Sequence, residues 1–575
     1  MQFSTAPYSP RTYLPAGIDL TDLKTLEGLY GRLQADLEAA ATAAELETWL
    51  ASYGEVDSAI DQARSERYIA MTCQTDDPER EKAYLHFVEE LDPALKPRQF
   101  ALWQTLVAKP AFEMLPDYYA VFRRSVATAV RLYREQNIPR ETATAKLCQS
   151  YQKISGAMTV TFDGAEQTLP RMGRIQEETD RARRQAAWEA VAARRLADSE
   201  KLEEIFDQLL VLREEIAKEA GFADARAYFF ASRERFDYTP DDCLRFHDAI
   251  EKQIVPLVRE MQAERKAKLG VDTLRPWDLA VDPEARPPLK PFATGDELFE
   301  KTDAIFGELD PRLKGFFDVL RQGGLVDLEN RKGKAPGGYQ ANLPEARVPF
   351  IFMNAVGMQR DVETLLHEAG HAFHTLAARE QPMNWYRNGI PIEFCEVASM
   401  SMELLGAPYM GKFYNEEESK RARRDHLEGI VKFFPWMAIV DGFQHWLYTH
   451  PGHSRPERKA AWIALMDRFG GIEDWTGLGD LSEARAYLWH RQLHIFELPF
   501  YYVEYGIAQL GALQVWSAAH KDRKAAIDAY LSGLSLGGSK PLPQLFEGAG
   551  IAFDFTDKTI APLIALVREE MAKLG

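Results

Sequence analysis

The sequence predicts a mainly α-helical fold with one small sheet near residue 350. Apolar residues recur at three- and four-residue spacing through most of Leu20–Ala335, with charged residues between them. Val348–Asn354 is a short apolar run of strand character that follows a glycine cluster. Helical spacing then returns, interrupted near Gly470–Gly479 and Gly533–Pro543.

The chain of 575 residues is longer than one hydrophobic core usually serves, so about two to four domains are expected. Proline-rich stretches at residues 1–20 and 272–293 predict an extended lead-in and a surface loop. We divide the chain into an N-terminal helical region, residues 1–190, and a second region, residues 191–575. All the motifs described below lie in the second region.

The composition excludes several classes of protein. A hydrophobic fraction of 46% and a charged fraction of 27% are typical of a folded protein, and the net charge of -18 disfavours nucleic acid or an anionic membrane as partner. We find neither a secretory leader nor an apolar run long enough to span a membrane, and we expect a cytoplasmic protein. Four cysteines without a Cys-x-x-Cys pair predict free thiols: Cys73, Cys148, Cys243 and Cys395.

The most specific motif is His-Glu-x-x-His, at His367, Glu368 and His371. Residues four apart on a helix lie one above the other, so both imidazoles face one point. A catalytic zinc ion takes such nitrogen ligands and keeps one position for water, which Glu368 is placed to deprotonate as general base. His374 points away, and we interpret it as a supporting or core residue. Gly370 weakens the helix, so we expect another element to approach closely there.

A third ligand is expected from the next predicted helix, Ile390–Gly406. A glutamate is the usual partner of two histidines in a zinc peptidase. This segment carries Glu393, Glu396 and Glu403, and spacing alone does not choose among them.

These residues resemble the M3 family of metallopeptidases, which includes thimet oligopeptidase and oligoendopeptidase F. The likeness is strongest to the oligoendopeptidase F branch, in two blocks, GGYQANLPEARVPFIFMNAVGMQRDVETLLHEAGHAFH and RQLHIFELPFYYVEYGIAQLGA. The resemblance assigns Glu396, within FCEVAS, as the third ligand. It implies one zinc ion per chain and a zincin-type molecule whose two halves flank a deep channel. It also implies hydrolysis of internal bonds in short peptides.

Helical spacing also indicates supporting residues. Glu363, one turn before His367, and Glu403, on the face of Glu396, are each placed to accept an imidazole N–H and fix a ligand tautomer. The family uses a histidine and tyrosines from the second block on the oxyanion and the substrate backbone. The resemblance therefore implies catalytic roles for His494, Tyr502 and Tyr505. It implies a substrate contact for Tyr501. The spacing between His494 and the tyrosines fits the oligopeptidase pattern only if a gap is introduced.

The substrate backbone needs an edge strand beside the zinc ion, and Phe350–Asn354 is our candidate, with Asn354 at its end. Gly337, Gly338 and Tyr339 are predicted to form a flexible loop over the substrate, because glycine allows close backbone approach.

Two other functions stay open. A zinc carboxypeptidase would need a fixed positive group for the terminal carboxylate, for which Arg347, Arg360 and Arg491 are candidates. A catalytically inactive peptide-binding protein is disfavoured by the intact set of metal-site residues. Short peptides are the expected partners in each case, and the sequence leaves the oligomeric state undetermined.

Overall fold

The computed structural model describes residues 6–575 and is mainly helical, which confirms the predicted fold class. Residues 1–5 of the predicted lead-in lie outside the described residues. The helices of the N-terminal part are α1 (Leu23–Ala39), α2 (Ala43–Cys73), α3 (Pro78–His86), α4 (Asp92–Val107), α5 (Pro110–Glu113), α6 (Ala120–Leu132) and α7 (Ile138–Gly156).

These first helices enclose a hydrophobic core of their own. Its buried side chains come from residues between Leu14 and Val126, together with Tyr386 from the other part of the chain. Capping fixes the helix starts. Thr42 and Glu45 form a reciprocal capping box at the start of α2. The far end of α2, with Ile69 and Cys73, contributes instead to the larger core. The domain division at residue 190 stays a prediction.

A short antiparallel hairpin, β1 (Thr159–Phe162) and β2 (Ala165–Thr168), leads into the second part. The helices before the main sheet are α8 (Leu169–Ile175), α9 (Arg181–Ala197), α10 (Ser199–Glu219), α11 (Ala225–Ser232), α12 (Pro240–Gln253), α13 (Val255–Leu269), α14 (Gly295–Leu309) and α15 (Pro311–Gly323). The proline-rich stretch 272–293 is irregular apart from one short turn, as predicted for a loop.

The main sheet has three strands, β3 (Val326–Glu329), β4 (Tyr339–Leu343) and β5 (Val348–Ala355), in the order β3-β5-β4. Strand β5 pairs parallel with β3 and antiparallel with β4. Our expectation of an edge strand at Phe350–Asn354 is therefore wrong, because β5 is the central strand. Its apolar composition reflects burial along most of its length, and the edge positions belong to β3 and β4.

The helices that follow the sheet are α16 (Gln359–Ala378), α17 (Asn384–Asn388), α18 (Ile392–Gly406), α19 (Glu416–Thr449), α20 (Arg455–Phe469), α21 (Leu493–Glu497), α22 (Val503–Lys521), α23 (Arg523–Ser535), α24 (Leu542–Gly548) and α25 (Asp557–Leu574). Helix α16 packs on β5 and against α18, which in turn packs against α22. This stack brings the three motif-bearing helices into contact. No helix of the described chain is long and apolar enough to cross a bilayer.

Helices α16 and α18 approach at Gly370. A Cβ atom at that position would lie 2.5 Å from the carbonyl oxygen of Ala398 and 2.5 Å from Cα of Ser399, both on α18. No side chain fits in that space. The close approach predicted from the glycine is confirmed. The four cysteines are free thiols, also as predicted.

Candidate active site

The candidate metal ligands meet between α16 and α18. Nε2 of His367 lies 3.3 Å from Oε2 of Glu396, and Nε2 of His371 lies 3.8 Å from the same oxygen. One ligand atom from each of the three residues lies within 4.8 Å of the other two. Tetrahedral zinc with bonds of about 2.0–2.1 Å separates its ligand atoms by roughly 3.4 Å. The two nitrogens and one carboxylate oxygen therefore fit zinc in chemistry and in spacing.

One further contact and one effect of burial act on these candidate ligands. Oγ of Ser399 donates to Oε2 of Glu396 at 2.9 Å, which holds the carboxylate toward the histidines. Burial lowers the pKa of His371 to about 4, so its imidazole is neutral at physiological pH. A neutral imidazole is the form that binds a metal ion.

Glu368 lies one step round α16 from His367 and is only 8% exposed. Burial raises the pKa of its carboxyl group to about 7, and the backbone N–H of Gln340 on edge strand β4 acts in the opposite direction. A carboxylate with a pKa near the working pH can both take and return a proton. The geometry also places β4 beside the predicted base.

Glu403 connects His367 to a histidine that the sequence did not point to. Its Oε1 is 2.6 Å from Nδ1 of His367, and its Oε2 is 2.9 Å from Nε2 of His426 on α19. Burial opposes ionisation, but the hydrogen bonds to both histidines lower the pKa of Glu403 to about 2. Glu363 instead accepts a hydrogen bond of 3.0 Å from Nε2 of Gln359. Of the two acids predicted to support a ligand, Glu403 contacts His367 and Glu363 contacts Gln359 instead.

His426 lies far along the chain from the His-Glu-x-x-His motif, and no local spacing distinguishes it from other helix histidines. Only the packing of α19 against the site brings it to Glu403. His374, by contrast, is buried and packs edge-on against Phe394, with 5.4 Å between ring centroids. This placement agrees with its interpretation as a core residue.

His494, Tyr501, Tyr502 and Tyr505 form one aromatic cluster. The ring centroid of His494 lies 4.8 Å from that of Tyr502, and the Tyr501 and Tyr505 centroids are 5.4 Å apart. Besides burial, the charge of Glu396 raises the pKa of both Tyr501 and Tyr505. Tyr501 and Tyr505 therefore lie within electrostatic reach of a candidate metal ligand.

The residue before these tyrosines has a strained backbone. Phe500 is buried and adopts a φ of 61°, a left-handed conformation that is rare for a bulky side chain. Oε1 of Gln444 accepts its N–H at 3.0 Å, and the guanidinium of Arg235 donates to its carbonyl oxygen. Arg233 donates to the carbonyl oxygen of Pro499 at 2.6 Å. These buried contacts hold the turn that orients the tyrosines.

The predicted substrate-contacting segment is tethered. Nδ2 of Asn354 donates to the carbonyl oxygens of Ala335 and Gly337, each at 2.8 Å. Gly337 has a φ of 97°, which only glycine adopts without strain. Gly338 follows directly, but Tyr339 is the first residue of β4, so our expectation that Tyr339 belongs to a flexible loop is wrong. The hydroxyl of Tyr339 lies 2.6 Å from Oγ1 of Thr72 on α2, so that side chain joins the two parts of the molecule.

A cleft of about 860 Å³ adjoins these groups. Catalytic candidates and supporting residues share its lining: Glu363, Glu403, His426, His494, Tyr502 and Tyr505. The lining also includes Leu279–Asp282, from the proline-rich stretch that the sequence identified only as a loop.

Comparison with known proteins identifies the family. Residues 174–563 match the profile of Peptidase family M3, and residues 18–127 match the Peptidase M3 N-terminal domain. The chain belongs to peptidase family M3. The resemblance drawn from the two sequence blocks, including the oligoendopeptidase F branch, is thereby confirmed.

Individual M3 relatives agree. Oligopeptidase PepF of Bacillus subtilis is 25% identical over 302 residues, which cover 52% of this chain and 44% of the relative. An oligoendopeptidase F homologue of Borreliella burgdorferi is 25% identical over 344 residues, 55% of each protein. The chain thus matches about half the length of these curated relatives. PZ peptidase A, solved with an inhibitor, superimposes with a TM-score of 0.85 at 28% identity, over 96% of this chain and 97% of that one.

Proposed function

We propose that this protein is a zinc-dependent endopeptidase that hydrolyses internal bonds of short peptides. The observation that carries the proposal is the convergence of His367, His371 and Glu396 beside the buried carboxyl group of Glu368. Membership of the M3 family and likeness to proteins named oligopeptidases support the substrate class. One zinc ion per chain is expected at the three ligands.

When bound, zinc supplies a Lewis acid that polarises the scissile carbonyl and makes a water molecule acidic. Glu368 takes the proton of that water and passes it to the leaving amine. Tyr505, with Tyr501 or Tyr502, donates a hydrogen bond to the developing oxyanion. His494 supports these hydroxyls, and Nε2 of Gln492 contacts its Nδ1 at 2.7 Å. Glu403 holds His367 in one tautomer.

The substrate backbone is proposed to add to edge strand β4, Tyr339–Leu343. An extended peptide supplies the N–H and C=O groups that a free strand edge lacks. Gln340 lies beside Glu368, so a peptide on this edge passes the general base. Gly337 and Gly338, directly before β4, leave room for its backbone, and Asn354 keeps them in place.

A short peptide blocked at both ends tests the proposal. The wild-type protein should cut it at an internal bond, detected by mass spectrometry, and elemental analysis should give one zinc ion per chain. Glu368→Gln should keep the zinc ion and lose roughly 10²–10⁴-fold in kcat, because an amide cannot take the proton. Cleavage only of peptides with a free C-terminus would support the carboxypeptidase alternative. Near wild-type activity in Glu368→Gln would refute the assigned base.

A further inference from the structure

A second cavity, of about 380 Å³, lies beside the cleft. Aromatic and apolar side chains form much of its wall: Met172, Trp188, Trp475, Tyr487 and Leu488. Two arginines complete it, Arg195 of α9 and Arg491 just before α21. Gln176 lines this cavity while its neighbour Glu177 lines the cleft, so a single segment of chain borders both spaces.

Within residues 6–575, no carboxylate pairs with either arginine. The charged or titratable groups that interact with them electrostatically are Tyr151 and His490 for Arg195, and Arg195 and Tyr502 for Arg491. Neighbouring arginines, by contrast, have carboxylate partners. Arg194 pairs with Asp198 at 2.5 Å, and Arg485 pairs with Asp467 at 2.6 Å.

The chain has 87 acidic and 69 basic residues, so the missing partners do not result from a shortage of acids. Arg195 is half-buried and Arg491 is exposed, and both line the same cavity. Two guanidinium groups of like charge in one cavity repel each other. An anion bound between them would relieve that repulsion.

Arg491 is also connected to the proposed catalytic cluster. Its guanidinium lies over the ring of Trp436, 4.7 Å from the centroid. Nε1 of Trp436 donates to Gln492 at 3.1 Å, and Gln492 in turn contacts His494 at 2.7 Å. The charge of Arg491 also acts on Tyr502. A ligand held by Arg491 is thus placed next to the residues proposed to contact the substrate.

We propose that Arg195 and Arg491 form a subsite that binds a carboxylate of the peptide substrate. Guanidinium groups match carboxylates in planar, two-point hydrogen bonds, and the aromatic walls suit an adjoining side chain. The carboxylate is either the C-terminus of a short peptide or an Asp or Glu side chain. This inference rests on the proposed peptidase function, and it makes acidic or free-ended peptides the preferred substrates.

Binding tests the subsite without turnover. In a Glu368→Gln background, fluorescence anisotropy compares an N-acetylated, dye-labelled peptide as free acid, as C-terminal amide, and as amide with one Gln replaced by Glu. The free acid, the Glu-containing amide, or both should bind about tenfold or more tightly than the plain amide. The carboxylate that increases the affinity, either the C-terminus or the Glu side chain, is the one that the subsite binds. The same ratio should appear in KM when the wild-type protein cleaves these peptides.

Substitutions assign the preference to the two arginines. Arg195→Gln and Arg491→Gln should each bring the ratio close to one, and Arg491→Glu should reverse it. Arg194→Gln, on the same helix but already paired with Asp198, is the matched control and should keep the ratio. Equal binding of all three peptides, or a ratio that survives both arginine substitutions, would overturn the subsite. If the wild-type protein cleaves none of the peptides but discrimination persists, the proposed function fails and the subsite stands.

Discussion

Two clusters of histidine and acidic side chains within residues 6–575 are each grouped closely enough to hold a metal ion, and they differ in access. The cleft cluster joins His367 and His371 to Glu396. The core cluster joins His247 and His445 to Asp441, with Cys243 nearby. In both, paired residues four apart on a helix face a partner helix. The side chains of the two cleft histidines are 25% and 18% exposed, whereas those of the core histidines are 2% and 4% exposed.

This difference shows that helical spacing alone does not identify a site. Asp441 accepts a hydrogen bond of 2.9 Å from Nε2 of His247 on α12, inside the hydrophobic core. Burial opposes its ionisation, but the two histidines keep the pKa of Asp441 well below its usual range. We interpret the core cluster as a packing network that joins α12 to α19. The cleft cluster has an aqueous approach and a buried base.

We expect the largest difference between the two clusters in the zinc content of their variants. Glu396→Ala should lose the zinc ion, because two histidines alone hold it weakly. Asp441→Ala should keep it but lower Tm, since a buried N–H of His247 would lose its acceptor, at a cost of about 1–3 kcal/mol. Elemental analysis and thermal unfolding of both variants measure this. Two zinc ions per wild-type chain, or zinc loss from Asp441→Ala, would make the clusters equivalent and contradict the interpretation.

A second effect concerns the aromatic side of the cleft cluster. Tyr505→Phe removes one hydroxyl and almost no volume, and kcat should fall roughly 10²–10³-fold with little change in KM. Tyr448→Phe is the matched control in the core, where the hydroxyl accepts a hydrogen bond of 2.8 Å from Arg213. That variant should lose stability but keep its kcat. The order of Tyr501→Phe and Tyr502→Phe then shows which hydroxyl assists Tyr505.

A smaller effect should arise from the layer behind the ligands. Glu403→Gln weakens the orientation of His367 and should reduce zinc affinity roughly 10–100-fold, measured by competition with a chelator. His426→Gln should give a weaker loss in the same direction, because His426 acts through Glu403. Unchanged affinity in both would make these residues structural, as in the core cluster.

The smallest effect concerns His374, which shares α16 with the ligands but is buried like the core cluster. Burial lowers its pKa to about 3, against an ordinary value near 6.5. The unfolded chain therefore binds more protons between these values, and acidification destabilises the fold. Below about pH 6.5, His374 should cost about 1.4 kcal/mol per pH unit. Urea unfolding should show a shallower loss for His374→Leu than for wild type, and parallel curves would contradict this.

The helical fold and the two candidate histidine ligands could be predicted because their information is local, whereas Glu396 was chosen only through the family resemblance. His367 and His371 lie on one turn, and the periodicity of α16 is visible in the sequence. His426 and Arg195 could not be found in this way, because each reaches the cleft or its neighbouring cavity only through the packing of distant helices. The edge strand was misassigned for a related reason. An apolar run indicates burial on both sides, which describes central strand β5 rather than β4.

The contact at Gly370 makes the shape of the candidate metal site independent of a bound ion. Backbone atoms of α16 and α18 touch there, so the gap between the donor atoms is set by helix packing. A metal ion at this site would then be an exchangeable component. Removing it with a chelator should leave the protein folded, and cobalt should enter the same three ligands and provide a visible absorption spectrum of the site. The same contact restricts natural variation, since any side chain at position 370 would displace α18 together with Glu396 and Glu403.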